Sequence, residues 1–534
     1  MPPTLRSSAR LALKNVANVA HTRTRGLPSG RKGELVTSSR KGAKSKSHAL
    51  EPKPLSIAQR LPFDVLSEIF EICVLHNPYK RETDRRQKGR PYCIIQNAPW
   101  VFTYVCAHWR EAATSCHALW RHVRIDANNL LDLVSPGRAS LLQLYIGRSG
   151  NLRLDVILYC RIIDVDDKFN NNTLLPILLQ HSDRFQFLSL RTWPHCLPYF
   201  SLLLKGRLSS LKILRLYMIC SPKENMENSP RSIVDMFAVA PLLENASIRI
   251  SANRQRFTFR VHSLRQLSVP VSAVPDFQLL TTVEECNLYV NQLARQLVGN
   301  NFTSHSLRSL SLKEPFLIRP TGASQVLRSL DLPKLDSLSI QACKKAEVGP
   351  SVINLLERSK CKLTNLTLEI CDLKNHELQR IFILCPGLVR LRVTSPLGRP
   401  LIRRLRNDLP DVSPLLSRLE VFDMYSSRKK MAGSFLTEPF LVLCKAIQTR
   451  GYQDNAALQE MPSVKLRELH MQNEFRVGKA NAKVKKTMMN LVEKGLKVFV
   501  RERLLSLEDL KADNPAIDRH EDNDGDESEW EGVQ

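Results

Sequence analysis

Beyond residue 180 the chain repeats one spacing of apolar and polar positions. The spacing is Leu-x-x-Leu-x-Leu, with other apolar residues in some places. Its clear copies begin at Phe185, Leu211, Leu264, Leu307, Leu335, Leu363, Leu388, Leu416 and Leu466, and weaker copies begin at Leu243 and Val283. In each copy the last two apolar residues alternate with a polar one, which is the periodicity of a short β-strand with one buried face. The pattern therefore predicts a series of short strands.

Helical spacing comes between some of these strands. Val352, Leu355 and Leu356 are spaced for one face of a helix, and the apolar run that begins at Leu378 stops before Pro386. One strand and one helix cannot bury both apolar faces alone, so neighbouring units must stack into a continuous core. We therefore predict an α/β fold in which residues 127–510 form a leucine-rich-repeat-like solenoid, a horseshoe with parallel strands on its concave side. Chance recurrence of a common residue is the alternative.

Residues 55–126 have a different pattern, which predicts a small helical module. A first helix begins near Pro62, a residue that suits a first turn, and its apolar face is expected to hold Val65, Leu66, Ile69, Phe70 and Cys73. Pro99 is expected to open a second helix, with one face made of Val101, Val105, Trp109 and Ala112. The pair Leu119 and Trp120 follows, and then a strand-like stretch around Val123.

Charge is unevenly distributed along the chain, whose formal net charge is +26. Residues 1–55 carry 12 Lys/Arg against two acids, a net of +10, and residues 513–534 carry nine Asp/Glu against one Arg, a net of −8. We read residues 1–54 as a disordered basic arm and residues 511–534 as a disordered acidic tail. The arm contains a basic run at 40–46 that could be a nuclear address or a solvated tail. Its first 25 residues also have the composition of a mitochondrial transit peptide.

The composition favours a protein of the cytoplasm, the nucleus or both. The 13 cysteines are scattered without a C-x-x-C pair, which is typical of thiols in a reducing compartment. No apolar run approaches 18 residues, so we expect no membrane partner.

The sequence offers little catalytic chemistry. It has no G-x-S-x-G, no phosphate-binding G-x-x-x-x-G-K-[ST] and no H-E-x-x-H motif. His117 and His122, with Cys106 and His108 nearby, could be imagined as a metal site, but packing on a helix explains these residues better. We therefore expect a protein that is not an enzyme, with no cofactor and no metal.

The motif around residue 61 carries a family resemblance. Leu61-Pro62-x-Asp64-Val65-Leu66-x-x-Ile69-Phe70 resembles the first helix of the F-box, and Val105-Cys106-x-x-Trp109-Arg110-x-x-Ala113 with Leu119-Trp120 resembles the second and third helices. The arrangement is similar to the F-box-like proteins of mushroom-forming fungi, which pair this module with degenerate leucine repeats. The resemblance implies docking to the Skp-family adaptor of a cullin-RING (SCF) ubiquitin ligase, through Leu61, Pro62, Val65, Leu66, Ile69, Phe70, Val105, Trp109, Leu119 and Trp120. For each residue the alternative is packing inside the chain.

A repeat body of this kind would hold a protein target on its strands. Strand alternation selects five basic residues as candidate target contacts, namely Arg215, Arg249, Arg308, Lys313 and Arg392. Their charge points to an acidic or phosphorylated target. A repeat scaffold that binds nucleic acid or an acidic partner is the alternative, although no nucleic-acid-binding signature accompanies the basic clusters.

Overall fold

A computed structural model describes the chain in segments. The described residues are 57–75, 99–126, 136–160, 174–218, 233–250, 256–259, 263–270, 280–290, 302–314, 322–341, 348–369, 373–393, 416–425, 447, 466–472, 482–500 and 503–508. The predictions of a basic arm at 1–54, an acidic tail at 511–534 and a polar loop at 80–90 lie outside these residues.

The helices occur in three regions of the chain. Those near the N-terminus are α1 (Ile57–Arg60), α2 (Phe63–Leu75), α3 (Trp100–Thr103), α4 (Ala107–Ser115) and α5 (Pro136–Arg148), with the 3₁₀ helix η1 (His117–Trp120). Further along are α6 (Leu174–Leu179), α7 (Leu197–Leu204), α8 (Gly322–Ser329), α9 (Val348–Ser359), α10 (Asn375–Leu384) and α11 (Ala482–Glu493), with 3₁₀ turns at Ser182–Arg184 and Pro194–Cys196.

Short strands occur along the whole of the described chain. They are β1 (His122–Asp126), β2 (Leu154–Cys160), β3 (Phe185–Thr192), β4 (Ile213–Met218), β5 (Ile233–Val234), β6 (Asn245–Ile250), β7 (Arg256–Phe257), β8 (Gln266–Pro270), β9 (Glu285–Tyr289) and β10 (Phe302–Thr303). They continue as β11 (Ser309–Lys313), β12 (Leu330–Asp331), β13 (Ser337–Gln341), β14 (Asn365–Glu369), β15 (Arg390–Val393), β16 (Val421–Tyr425), β17 (Glu468–Gln472), β18 (Lys497–Val500) and β19 (Arg503–Leu504).

Fifteen of the described strands form one sheet in chain order. The order is β1-β2-β3-β4-β6-β8-β9-β11-β13-β14-β15-β16-β17-β18-β19, and β5-β7 and β10-β12 form two separate pairs. Neighbours in the large sheet are parallel until β19, which runs antiparallel to β18. The fold is therefore a mixed α/β structure with a large, mostly parallel sheet and helices, which confirms the α/β class that the sequence predicts.

The repeated leucines align across the sheet. Leu310, Leu338, Leu366 and Leu391 are register partners on four successive strands, and all are buried. One hydrophobic core joins such side chains to the buried faces of the helices. Each fully buried leucine contributes about 1.5–3 kcal/mol of transfer free energy relative to exposure, so the aligned rows supply much of the stability.

One repeat was predicted in the wrong register. The expected triplet began at Leu416 and ended at Val421, but Val421 pairs with Arg390 in the partly exposed row and Phe422 pairs with Leu391 in the buried row. The observed copy therefore begins at Leu419. Leu416 instead lies in the preceding turn, where its φ is 57°.

The sheet also extends beyond the repeats found in the sequence. β1, which the sequence pattern placed in the helical module, pairs in parallel with β2 and is the first strand of the sheet. Another strand, β18, follows α11 at the other end.

The second predicted helix is broken in two. α3 ends at Thr103 and α4 begins at Ala107, because Cys106 has an extended backbone (φ −159°, ψ 174°) and its thiol accepts a hydrogen bond from the N–H of Trp109. The prediction of one helix face from Val101 to Ala112 was therefore wrong.

Candidate functional site

The helices near the N-terminus pack around a cluster of aromatic rings. Phe70 of α2 stacks on Phe102 of α3, with ring centroids 4.2 Å apart, and meets the edge of Trp109 of α4 at 5.1 Å. Leu66, one turn before Phe70, is also fully buried. Thus α2 packs against the neighbouring helices through Leu66, Phe70 and Val74, which have the spacing i, i+4 and i+8.

A second aromatic cluster joins this unit to α5. The indole N–H of Trp120 donates to the carbonyl oxygen of Ala113 at 2.8 Å. The Arg148 guanidinium lies 4.6 Å from the Trp120 ring centre and 4.9 Å from that of Trp100. Burial lowers the pKa of Arg148 and raises that of Tyr145, whose ring meets the edge of Trp120 at 5.1 Å.

Four of the expected adaptor contacts are therefore internal. Leu66, Phe70, Leu119 and Trp120 have no exposed surface, so they stabilise the helical unit and cannot face a partner in this conformation. Their assignment to the contact surface is corrected to internal packing, the alternative raised for them above. Leu61, Ile69 and Trp109 are half-buried against the core.

The remaining candidates, Pro62, Val65 and Val105, are exposed, and they have apolar neighbours that the motif did not include. Phe63, Ile72, Val101 and Tyr104 are also exposed. Six of the thirteen exposed large apolar side chains in the described residues lie between Phe63 and Val105, so surface apolarity is concentrated in this unit.

The exposed residues fall into two groups set by helical spacing. Val65, half-buried Ile69 and Ile72 occupy positions i, i+4 and i+7 of α2, and we call them the outer stripe. Val101, Tyr104 and Val105 have the spacing i, i+3 and i+4 at α3 and the turn after it, and we call them the α3 group. The sequence predicted one apolar face on this helix, but the structure divides its apolar residues into a buried stripe and the outer stripe.

The residues considered for a metal site are held apart by different partners. A ring nitrogen of His108 lies 2.8 Å from the Leu61 carbonyl oxygen, and one of His117 lies 2.6 Å from that of Arg148. His122 lies 3.0 Å from the Asp155 carboxylate. In the described part of the chain, no three His, Cys, Asp or Glu side chains are arranged to hold a metal ion.

A pair of buried thiols is the chemistry that the sequence did not signal. A side-chain hydrogen bond with Cys160, helped by the nearby His195 and Thr192, lowers the pKa of Cys196 against the effect of burial. Both cysteines are fully buried, so a thiolate at Cys196 would be closed to a substrate. All eight cysteines in the described ranges are thiols and not disulfides.

The partly exposed face of the sheet carries the expected target contacts, but not as one group. Arg215 on β4 and Arg249 on β6 are exposed, and each lies over an aromatic ring. Arg308 precedes β11, where its carbonyl oxygen accepts the N–H groups of Asp336 and Ser337 at 2.8 and 2.9 Å. Lys313 ends β11.

Arg392 differs from the other four because carboxylates surround it. Its Nε lies 3.3 Å from Glu369 on β14, and Asp423 on β16 is its register partner on the other side. Burial raises the pKa of Asp423, although His470, Arg392 and Arg390 act in the opposite direction. Since its charge is already matched, Arg392 is the weakest of the five candidates for an anionic target.

Comparison with known proteins adds no family assignment. Neither the known protein families nor the curated proteins include a match to this chain. Within the described ranges, the helices are too short or too polar to span a membrane.

Proposed function

We propose that this chain is a non-enzymatic, substrate-recruiting adaptor of an SCF-type (cullin-RING) ubiquitin ligase. In this proposal the F-box-like helices dock to the Skp-family adaptor, and the strand-and-helix units form a leucine-rich-repeat-like solenoid that holds a protein target. The observation that carries it is the set of apolar side chains left exposed on α2 and near α3, within the segment that has the F-box-like motif.

The outer stripe is the first support. A helix of a small unit normally buries its apolar residues, yet α2 has Val65 38% exposed and Ile72 40% exposed beside its fully buried stripe. An apolar surface concentrated in one place is typical of a protein interface. Pro62 and Val65 come from the motif itself, so the proposed contact keeps part of what the resemblance implies.

The α3 group is the second support. Tyr104 is 72% exposed, and an aromatic residue with a polar end is a frequent anchor of protein interfaces. The break between α3 and α4, made by the extended backbone of Cys106, leaves Tyr104 and Val105 outside both helices. A continuous helix would have turned these side chains differently.

The parallel sheet supports the proposed role of the body. Its strands follow one another in chain order, as stacked repeats would, and one face of the sheet is partly exposed along its length. Such a face offers many side-chain positions to a partner, which is how repeat proteins bind extended surfaces.

The test is co-purification of the full chain with a Skp-family adaptor from the same source. Val65→Asp with Ile72→Asp should reduce adaptor binding by at least about tenfold, because two charges would have to be desolvated at the contact. Leu202→Asp with Val239→Asp is the matched control, since it places the same charges on residues that are 83% and 50% exposed elsewhere.

Two results would count against the proposal. One is that the wild-type chain does not co-purify with the adaptor. The other is that both double variants lose binding equally although circular dichroism shows that they are folded. If the adaptor binds but cullin is not recruited and no protein is turned over, the chain acts as a scaffold that docks to the adaptor without delivering targets.

A further inference from the structure

Four neighbouring strands carry tyrosine and arginine alternately in one row of the sheet. Tyr159 on β2 pairs with Arg191 on β3, which pairs with Tyr217 on β4, which pairs with Arg249 on β6. All four are at least partly exposed. Arg215 lies two residues before Tyr217 on β4 and therefore on the same face. We call Arg191, Arg215 and Arg249 the arginine patch.

The guanidinium groups of this region are held against rings. Arg249 lies 5.5 Å from the ring centre of Tyr217, and Arg215 lies 5.4 Å from that of Phe187. A guanidinium stacked in this way keeps its in-plane N–H groups available, and it loses less conformational freedom when it binds an anion.

Carboxylates of the described residues do not neutralise the arginine patch. Among the described residues, the arginines that form ion pairs with carboxylates are Arg121, Arg380, Arg392 and Arg467. None of these four belongs to the patch. Asp155, an acid in the neighbouring row of β2, is held by Arg121 and His122 at 3.0 Å each. The patch therefore presents three positive charges on three adjacent strands.

The spacing suits a compact anion with several acceptor oxygens. Arg191 and Arg249 are two strands apart, which places their Cα atoms about 10 Å from each other, within the combined reach of two arginine side chains. Ser189 and Ser247 flank Arg215 in register, and their short side chains leave room beside it. Arginine N–H groups form paired bonds to phosphate oxygens, and tyrosine hydroxyls can add further donors.

A peptide fits this surface better than a nucleic acid. Single-stranded nucleic acids need a basic track and open aromatic faces for their bases. Here Phe187 and Tyr217 each have a guanidinium over a face. The basic character also stops after β6, since the same two rows on β8, β9, β11, β13 and β14 hold one cation, Lys313, and one acid, Glu369.

From these observations we infer that the arginine patch binds a phosphorylated segment of a protein partner. The patch is separate from the exposed apolar residues of α2 and α3. Its designation as the target-binding surface rests on the proposed ligase function, whereas phosphate recognition itself does not.

The test uses purified full chain and arrays of degenerate peptides. Each peptide has a fixed central phosphoserine, phosphothreonine or phosphotyrosine, and its partner on the array has the unmodified residue. At least one phosphorylated set should bind about tenfold better than its unmodified partner, in line with the strength of charge-assisted arginine–phosphate bonds. Arg215→Gln with Arg249→Gln should remove that preference.

The matched control is Arg328→Gln with Lys334→Gln, which removes the same two positive charges from exposed residues outside the patch, on α8 and in the turn after β12. This control should retain the preference. Where the Gln pair fails to fold, Arg215→Lys with Arg249→Lys keeps the charge but loses the paired donors, and it should bind the phosphorylated set several-fold more weakly than wild type.

Three outcomes would overturn the inference. Phosphorylated and unmodified peptides could bind equally, or the control could lose as much binding as the patch variant. A single-stranded oligonucleotide could also bind more tightly than any phosphopeptide and depend on the same arginines. Because this experiment uses the chain without the Skp-family adaptor, its failure is distinguishable from failure of adaptor docking.

Discussion

Gly349 of α9 lies directly against the carboxylate of Glu377 on α10. A Cβ atom at residue 349 would stand 2.5 Å from Oε2 and 2.6 Å from Cδ of Glu377. The same Oε2 accepts the backbone N–H of Lys374 at 2.9 Å, at the start of α10. Two helices are thus packed closely at a position where only hydrogen occupies the side-chain site.

Gly349→Ala should therefore lower the free energy of unfolding. The new methyl group must displace the Glu377 carboxylate from the Lys374 N–H, and loss of a cap of this kind costs about 0.5–2 kcal/mol. Gly349 is the second residue of its helix, so little of the gain of about 1 kcal/mol that alanine brings to a helix interior offsets this cost. Urea denaturation followed by circular dichroism measures the change.

Gly147→Ala is the control for this prediction. Gly147 also lies in a helix, α5, but nothing stands within 4 Å of its Cβ position. That substitution should be neutral or stabilise by up to about 1 kcal/mol. Equal effects of the two alanines would show that the contact with Glu377 has no energetic weight.

Adjacent residues of α2 should lose very different amounts of stability on truncation. Leu66→Ala empties a fully buried site and should cost about 2–5 kcal/mol of unfolding free energy. Val65→Ala removes a partly exposed side chain and should cost less than about 1 kcal/mol. Thermal and urea unfolding of the two variants decide the matter, and a Val65 variant as unstable as the Leu66 variant would mean that the outer stripe is covered.

Two buried tryptophans provide a matched pair. Trp120→Phe leaves the carbonyl oxygen of Ala113 without its donor, whereas the N–H of Trp100 has no acceptor within the part of the chain that the structure describes. Arg148 lies over both rings, so Trp120→Phe and the matched variant Trp100→Phe weaken the same kind of contact. Trp120→Phe should be the less stable protein by about 1–3 kcal/mol, measured from urea midpoints. A smaller effect at Trp120 would contradict this.

Stability should fall in acid partly through Asp155. Burial alone would raise the pKa of this carboxyl group, but hydrogen bonds and charges from His122 and Arg121 hold it below its ordinary value of 3.8. A carboxylate with a lowered folded-state pKa contributes stability above its unfolded value and loses it as the pH falls through the folded value.

Asp155→Asn should therefore be less stable than wild type near neutral pH, and the difference should shrink as the pH falls below about 4. Urea midpoints measured across this range test it. A difference that stays constant with pH would show that the carboxylate contributes no charge-dependent stability.

The strands could be predicted where strict alternation left one register. Ser337 to Gln341 alternates without ambiguity, and the inward pair Leu338 and Ile340 was placed correctly. Around Leu416 to Met424 apolar residues occupy both alternating sets, and a shift of one residue exchanges the buried and exposed sets. Only the neighbouring strands decide that Phe422 and not Val421 faces the core.

The surface proposed to bind the adaptor could be predicted in position but not in detail. The sequence placed apolar residues around α2. Which of its faces Phe102 and Trp109 cover depends on the interruption of the helix at Cys106, and no residue pattern predicted that interruption. Arg191 was missed although a signal existed. Like Tyr217 and Arg249, it directly follows the last apolar position of its Leu-x-x-Leu-x-Leu copy, and reading that one position across the repeats would have shown most of the row.

The chain-order arrangement of the sheet has a consequence for how the protein folds. Register partners such as Leu310, Leu338 and Leu366 are separated by 28 residues each, so pairing among the described strands of the large sheet does not require distant parts of the chain to meet. Closing such short loops costs little entropy compared with joining the two ends. Assembly can therefore start at a favourable unit in the middle and spread outward, and synthesis on the ribosome need not be complete before a growing sheet has a stable edge to extend.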